Sequence, residues 1–352
     1  MKNKNFIPIL QALLAAALFG ASAPLAKLLL GEIHPIPLAG FLYLGSGFGL
    51  LVLHGVVKLA GSHSTEANLT RNDLPWLAGA ILTGGIIAPI ILMFSLRSTP
   101  AATASLLLNF EAAATGLIAI LMFREAIGAR IWTAISCITL ATVLLSLNPA
   151  GGWGFSVGAL GVLAACMLWG IDNNLTRNIS AKDPMVIVTW KGLGAGSITL
   201  LMALALGIDF PTLSVVLECM LLGLISYGLS IVLFILAMRS LGATRTTALF
   251  GSAPFVGAIL SWLIFREALS GRFFIGVIIM ILGAVLLLGE KHIHIHDHRA
   301  SEHEHRHRHD DSHHTHVHPG ECEVGYHSHP HTHAPLHHGH AHTPDTHHRH
   351  GH

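Results

Sequence analysis

The sequence predicts an all-α integral membrane protein of ten transmembrane helices, arranged as two inverted five-helix repeats and followed by a disordered histidine-rich tail. The 352-residue chain is 52% hydrophobic and only 11% charged, which leaves too few charged side chains to cover a soluble domain. Its apolar runs are continuous and about twenty residues long, as helices that cross a bilayer require. Residues 291–352 contain 24 of the 27 histidines, so the tail is a separate segment.

Ten apolar spans precede the tail, and short connections rich in proline, glycine and asparagine separate them. A transmembrane β-barrel would instead show alternating segments of about ten residues. We predict spans at residues 7–30, 36–58, 74–96, 101–123, 131–148, 155–177, 184–207, 214–238, 243–265 and 273–289.

Basic residues favour one orientation of these spans. If the N-terminus is cytoplasmic, eleven Lys and Arg residues near the span ends face the cytoplasm, and only Lys27, Arg97, Arg266 and Arg272 face outside. Cytoplasmic connections of membrane proteins carry the excess of positive charge. We therefore expect a multi-pass protein of the cell (inner) membrane with both termini, and hence the tail, in the cytoplasm.

The second half of the membrane region repeats the first. Arg97-Ser98 recurs 142 positions later as Arg239-Ser240. At the same offset Phe123-Arg124-Glu125-Ala126 recurs without a gap as Phe265-Arg266-Glu267-Ala268. Agreement at one fixed offset indicates an internal duplication rather than chance.

Each repeat contains five spans, an odd number, so the two repeats must cross the membrane in opposite directions. We place the first repeat at residues 1–148, the second at 149–290 and the tail at 291–352. Inverted repeats give secondary transporters two near-equivalent halves around a site near the bilayer midplane. Exchanging the conformations of the halves opens that site to each side in turn.

A second doubled pattern ends the first helix of each repeat, where Phe19-Gly20 precedes Lys27 and Trp169-Gly170 precedes Arg177. Together with the Arg-Glu step that closes each fourth helix, it resembles the drug/metabolite transporter (DMT) superfamily, of the EamA-like type with two five-helix repeats. The resemblance covers about residues 7–290. It implies a helical transporter of small metabolites without specifying the substrate, and the tail has no counterpart in the family pattern. No nucleophile-base constellation, phosphate loop or closed metal motif appears in the spans, so no enzyme is expected.

Glu111 lies about ten residues into the fourth span, which places it near the bilayer midplane. An ionised carboxylate that faces lipid there costs roughly 2.5–3.5 kcal/mol on insertion scales, so the side chain should face the protein interior. Glu111 is therefore the candidate for a proton or substrate-cation site. The alternative is a carboxylate that only hydrogen-bonds between helices.

Three consecutive polar residues, Asp172, Asn173 and Asn174, lie in the sixth span. Successive helix residues point about 100° apart, so one or two of them face the interior together and the third needs its own partner. Lys191 in the seventh span lies at a depth similar to that of Asp172, and we hypothesise that the two form a pair. The alternative is that Lys191 extends to the membrane interface.

Four more residues complete the predicted pathway for substrate or protons. Lys27 and Arg177 are candidates to guide an anionic substrate group, although basic residues at helix ends also serve as anchors. Trp169 and Asn109 are candidates to line the cavity, with ordinary packing as the alternative. We expect the Arg-Glu steps to form salt bridges or helix caps at the loop ends.

The tail places histidines at every second position in several runs, and it contains four prolines. In an extended chain, residues two apart project to the same side, so one run can present several imidazoles to one cation. Low hydrophobicity predicts that the tail is disordered without metal. The predicted metal ligands are His292, His294, His296, His298, His303, His305, His307, His309, His313, His314, His316, His318, His327, His329, His331 and His333.

We predict a secondary transporter that moves a small metabolite by alternating access, with proton coupling at Glu111. One alternative is a transition-metal (Ni, Co or Zn) transporter whose tail collects the cargo, which the few carboxylates within the spans make less favoured. Another is a membrane-anchored metal sensor, against which the repeat argues.

The membrane region should require no cofactor, and imidazole ligands suit a divalent transition metal (Zn, Ni, Co or Cu) on the tail. The expected partners are the lipid bilayer, a small-molecule substrate and transition-metal ions. A homodimer is left open, and no nucleic acid is expected.

Overall fold

The computed structural model describes residues 6–59, 67–123, 129–147, 155–180, 182–241, 246 and 249–288, together with tail segments 292–298, 301–307, 327–333 and 336–342. Within this part of the chain the helices form ten successive segments, as the sequence predicts.

The first repeat supplies five of these segments. Its elements are α1 (Phe6–Gly20), α2 (Ser22–Leu29), α3 (Pro35–Leu59), a 3₁₀ turn (Arg71–Asp73), α4 (Leu74–Ala80), a π-helical segment (Ile81–Ile87), α5 (Ala88–Ser98), α6 (Ala101–Leu107), α7 (Phe110–Phe123) and α8 (Ala129–Ser146). The elements α1 with α2, α4 with α5, and α6 with α7 are interrupted parts of single membrane segments.

The second repeat has the same plan. Its elements are α9 (Val157–Arg177), α10 (Pro184–Ala205), α11 (Leu213–Gly223), a π-helical segment (Leu224–Leu229), α12 (Ser230–Leu241), α13 (Ala253–Phe265) and α14 (Gly271–Leu288). Among the described residues seven helical stretches are long and apolar enough to cross a bilayer, and α13 and α14 are shorter apolar helices. Helix α9 has 21 residues and is thus about 30 Å long, which also suffices.

The two repeats pack crosswise. Helix α1 contacts α12 and α13 of the second repeat, and α9 contacts α5 and α7 of the first. Helix α3 packs on α10, the second segment of each repeat, and α8 packs on α14, the fifth segment of each. Every one of these pairings has its counterpart when the repeats are exchanged, as a pseudo-two-fold relation between inverted repeats requires.

Glycines allow α3 and α10 to approach closely where the repeats meet. A Cβ atom on Gly47 would overlap the backbone nitrogen of Leu193, and one on Gly192 would lie 2.7 Å from the Cα of Gly47. A Cβ on Gly196 would lie 2.6 Å from the backbone nitrogen of Leu44. Lipid tails are as apolar as side chains, so close contact between small residues is what holds membrane helices together.

Both repeats interrupt their third and fourth segments at equivalent positions. The π-helical segments Ile81–Ile87 and Leu224–Leu229 lie at the middle of the third segment of each repeat. In the fourth segments, α6 ends at Leu107 before α7 begins at Phe110, and a turn precedes α13 at Ala253. Corresponding interruptions in the two halves of an inverted-repeat fold indicate where it binds its ligand.

Three of the prolines within the spans lie in the first turn of the helix that follows an interruption. Pro24 follows the break at Ala21, Pro89 follows the first π-helical segment, and Pro254 is the second residue of α13. Proline is tolerated in a first turn because the N–H groups there have no partner within the helix. Helix α9 has no such break, so the first segments of the two repeats differ.

The described tail segments form four short strands. The paired strands, all antiparallel, are β1 (His292–His298) with β4 (Leu336–His342), and β2 (Ser301–His307) with β3 (His327–His333). Histidine at every second position has the two-residue period of a strand, which explains why these runs are extended. Each sheet has only two strands, fewer than independent stability in water requires.

Replacing Gly47 with alanine should destabilise the protein because the new Cβ would press against the backbone of α10. Overpacking of this kind typically costs about 1–3 kcal/mol. Gly55 lies on the same helix and a Cβ there would meet nothing within 4 Å, so Gly55→Ala is the matched control. We expect thermal unfolding in detergent at a lower temperature for Gly47→Ala than for Gly55→Ala. Equal unfolding temperatures would contradict the close approach of the two helices.

Candidate functional site at the interface of the repeats

A carboxylate lies at the break in the fourth segment, where the two repeats meet. Glu111 is in the first turn of α7, directly after the turn at Leu108 and Asn109. Nδ2 of Asn173 on α9 donates a hydrogen bond to its Oε1 at 2.9 Å, and also donates to Oγ1 of Thr115 at 3.1 Å. The Thr115 hydroxyl in turn donates to the carbonyl of Glu111 at 2.8 Å. These bonds join the fourth segment of the first repeat to the first segment of the second.

Asp172 and Lys191 form an ion pair within the second repeat. Nζ of Lys191 contacts Oδ2 of Asp172, and the Thr176 hydroxyl donates to Oδ1 at 3.1 Å. The Asp172 side chain is 3% exposed and that of Lys191 is 18% exposed, so Lys191 does not extend to the membrane interface. The pair predicted from the depths of the two residues is therefore present, and each buried charge has the partner that burial demands.

The first π-helical segment brings Gly84 against this pair. The carbonyl of Gly84 accepts hydrogen bonds from the Tyr43 hydroxyl at 2.7 Å and from Nε1 of Trp169 at 2.9 Å. A Cβ on Gly84 would overlap the Asp172 carboxylate, so only glycine leaves room for it. Sequence reasoning missed Gly84. The signal that could have found it is a pair of adjacent glycines in an apolar span, five residues before Pro89.

Asn174, the third residue of the polar run, hydrogen-bonds to backbone atoms. Its Nδ2 donates to the carbonyl of Thr115 at 3.0 Å and to that of Gly170 at 2.8 Å. A Cβ on Gly170 would lie 3.0 Å from the backbone of Ala114, which explains the glycine of the aromatic-glycine pair. All three residues of the run thus have partners, as lipid surroundings require.

Asn109 lies beside Glu111 and has an unused donor. The residue is 9% exposed, and its Nδ2 has no hydrogen-bond partner in the described part of the structure. A buried amide without a partner costs about 1–3 kcal/mol, which a substrate acceptor would recover. Asn109, which the sequence offers as a cavity-lining residue, is therefore a candidate substrate contact.

Five aromatic rings extend from this site between the repeats. Tyr43 and Tyr227 have ring centroids 5.7 Å apart, and Phe19 lies 5.9 Å from Tyr227 and 5.4 Å from Phe250. Phe234 continues the row 5.0 Å from Phe250. Such rings provide a rigid apolar surface for the organic part of a ligand, beside the polar groups around Glu111.

Lys27 lies apart from this cluster. It donates to the carbonyl of Thr99, and its Nζ is 3.7 Å from Oε1 of Glu267, the glutamate of the second Arg-Glu step. Arg177 is the last residue of α9, one helical turn beyond Asn173. The structure therefore connects Lys27 with a different site, described below, rather than with Glu111.

The described residues contain no group of three or more His, Cys, Asp or Glu side chains that could hold a metal ion. Eleven of the predicted histidine ligands lie in the tail strands β1, β2 and β3. The others, His309, His313, His314, His316 and His318, lie outside the described residues, as does the Arg124-Glu125 step.

One large cavity lies elsewhere on the molecule. It is a groove of about 490 Å³ between α13 and α14, with Phe255, Trp262 and Phe273 among its walls. Other walls, such as Ile259 at 60% and Phe274 at 55% exposure, lie on the outer surface of the helices. The groove is almost wholly apolar and faces the lipid, so it does not suit a hydrophilic solute.

Comparison with known proteins identifies the family. The model of the EamA-like transporter family matches residues 6–147 and again residues 156–289. The chain belongs to the EamA-like transporter family. It is therefore a multi-pass membrane transporter and not an enzyme, and the resemblance seen in the sequence is confirmed.

Two relatives of this EamA-like transporter are themselves named only as uncharacterized transporters. One, from Methanothermobacter thermautotrophicus, is 30% identical over 286 residues, covering 78% of this chain and 83% of the relative. The other, from Clostridium kluyveri, is 25% identical over 232 residues, covering 63% of this chain and 74% of the relative. A solved crystal structure matches 79% of this chain and 94% of its own with a TM-score of 0.56 at 19% identity, which supports the fold alone.

Replacing Lys191 with methionine should destabilise this EamA-like transporter because Asp172 would remain buried without its cation. Removing one partner of a buried pair costs about 3–5 kcal/mol. The double variant Lys191→Met with Asp172→Asn removes both charges and should regain much of the stability. Thermal unfolding in detergent measures both effects, with Lys58→Met as the control because Lys58 is exposed at the end of α3. A Lys191→Met protein as stable as the wild type would contradict the pair.

Proposed function

We propose that this protein moves a small metabolite across the membrane by alternating access, and that Glu111 couples the movement to a proton. The observation that carries the proposal is the Glu111–Asn173 hydrogen bond, because it joins the two repeats at a helix break. In an inverted-repeat transporter one repeat moves against the other around a central site. A contact between the repeats at that site must change during such a movement.

Protonation of Glu111 alters this contact directly. An ionised carboxylate accepts a strong hydrogen bond from the Asn173 amide, and a protonated carboxyl group accepts a weaker one. An ionised group at this depth also needs compensation, which either a proton or a polar group of the substrate can supply. Because a proton and a polar group of the substrate compete for the Glu111 carboxylate, binding of one weakens binding of the other.

The Asp172–Lys191 pair has a different role in this scheme. Each of its charges already has a partner of opposite sign, and Thr176 binds the second oxygen of the carboxylate. The pair then serves as a fixed polar wall, and Asn109 and Trp169 complete the surroundings of the substrate.

The excess of Lys and Arg on one side supports an orientation with both termini in the cytoplasm and placement in the inner membrane. In this arrangement the first repeat spans residues 1–148, the second spans residues 149–290, and the tail, residues 291–352, lies in the cytoplasm. We propose that the tail binds divalent Zn, Ni, Co or Cu through its histidines, and that the membrane region needs no cofactor.

A transition-metal cargo is the second candidate, and the strand register of the tail favours it. The pairing sets His294 opposite His340 and His303 opposite His331, so histidines from distant parts of the tail come together. The membrane region argues against it. Glu111 and the paired Asp172 provide few of the nitrogen, sulfur or oxygen ligands, usually about four, that such a cation takes.

Glu111→Gln should abolish proton-driven transport in proteoliposomes. A panel of radiolabelled metabolites is first screened by counterflow to identify the substrate. A pH gradient is then imposed across the proteoliposome membrane, in each direction in turn. With one proton exchanged per substrate, one pH unit should drive about tenfold accumulation in the wild type. The variant should lose this accumulation and keep counterflow. Glu218→Gln, which changes an exposed carboxylate on α11, is the control. Unchanged gradient-driven accumulation by Glu111→Gln would refute the coupling role.

Ending the chain after Glu290 should remove metal binding and leave metabolite counterflow unchanged. Zinc bound per protein, measured by equilibrium dialysis, should fall close to zero. In the full chain, zinc affinity should decrease as the pH falls through about 6.5, because imidazole must be unprotonated to bind metal. If metal flux through the membrane occurs and collapses on truncation, metal is the cargo and the metabolite proposal fails.

A further inference from the structure

Three parts of the chain meet at the end of the molecule that the charge pattern predicts to be external. Lys27, near the end of α2, donates to the carbonyl of Thr99, in the turn before α6. Its Nζ also lies 3.7 Å from Oε1 of Glu267, in the loop after α13, and 5.6 Å from the centre of the Phe265 ring. The Lys27 and Glu267 side chains are each only 20% exposed, so water screens their attraction incompletely.

Glu267 also caps a helix of the other repeat. Its Oε1 accepts a hydrogen bond from the backbone N–H of Ala101 at 2.8 Å, and its Oε2 accepts one from Ala102 at 3.2 Å. The first N–H groups of a helix lack partners within the helix and lie at the positive end of its dipole, so they favour a carboxylate. Glu267 of the second repeat therefore holds the start of α6 in the first.

The backbone before Glu267 is arranged for this contact. Arg266 ends α13 in the left-handed conformation, with φ of 51° and ψ of 33°, and its N–H bonds the carbonyl of Trp262 at 3.0 Å. Among the described residues it is the one non-glycine residue with positive φ. A left-handed residue terminates a helix and redirects the chain, although side chains with a Cβ adopt it at a cost. Here the turn directs Glu267 to α6 and Lys27.

We propose that the Lys27 clasp, defined as Lys27, Glu267 and the first turn of α6, is the gate that closes this end of the transporter. The clasp joins α2 and α6 of the first repeat to the loop after α13 of the second, so the repeats cannot separate at this end while it is intact. The proposal rests on alternating access and not on the identity of the substrate or coupling ion.

The sequence repeat supports a gating role. In the sequence, Arg177 occupies the repeat position of Lys27, and Glu125 occupies that of Glu267, so a basic residue and a glutamate recur at positions that the predicted topology assigns to the cytoplasmic side. Two ends with equivalent chemistry are what a cycle with two gates requires, since each half of the cycle closes one end and opens the other.

The test measures access to a buried reporter cysteine and needs no substrate. Ser22 is 4% exposed and lies about 7 Å deeper than Lys27 along α2, so Ser22→Cys reports opening of this end. The reporter is placed in a chain whose native cysteines are replaced by alanine. An impermeant maleimide is applied to intact cells and to inverted vesicles, so that each face is probed separately.

Lys27→Met and Glu267→Gln should each raise the labelling rate of the reporter cysteine from the Lys27 face, on the order of threefold to tenfold, because the open population grows. Arg97→Met is the matched control, since it removes an exposed positive charge on the same face without touching the clasp. Labelling of both clasp variants at the control rate would overturn the proposal.

A charge-swapped protein, Lys27→Glu with Glu267→Lys, tests whether the gate needs the helix cap by Glu267 or only an ion pair between positions 27 and 267. A lysine in place of Glu267 would meet the N–H groups of Ala101 and Ala102, which it cannot cap, so labelling should stay high. Full restoration of the low wild-type rate would contradict the capping role of Glu267. Because this assay follows access and not flux, its failure would leave the Glu111 proposal untouched, and the reverse also holds.

Discussion

A carboxylate within a bilayer must find its hydrogen-bond partners inside the protein, because lipid offers none. At Glu111 this constraint is met across the boundary between the repeats, by Asn173 of the second repeat. The break that precedes α7 leaves Asn109 with a free donor at the same place, among the residues that the structure describes. This polar contact therefore lies at the boundary between the two repeats.

The two repeats share an architecture but differ in their central residues. Their helices pair crosswise, and π-helical segments and breaks recur in both. The polar run from Asp172 to Asn174 in α9 is equivalent in the repeat to small or apolar residues at the start of α2. Pro254 of the second repeat lies next to the position equivalent to Glu111. The two repeats therefore share a backbone plan, whereas the side chains at the centre differ between them.

Features that depend on a residue's depth in the membrane, or on spacing along the chain, could be predicted from the sequence. The Asp172–Lys191 pair follows from two charges at one depth on adjacent segments, and the inverted repeat follows from a fixed offset with five spans per copy. A salt-bridging or capping role for Glu267 could be predicted, but its partner helix α6 could not, and neither could the contact of Gly84 with Asp172. Both depend on which helices become neighbours and how each is rotated.

The central claim is that one carboxylate, Glu111, exchanges a proton for a substrate group. Proton release upon substrate binding tests it most directly, with a pH-sensitive dye in weakly buffered detergent solution. The account predicts about one proton released per substrate bound by the wild type, and none by the Glu111→Gln variant at saturating substrate. Equal release by the two proteins, or substrate binding to the wild type without any release, would contradict it.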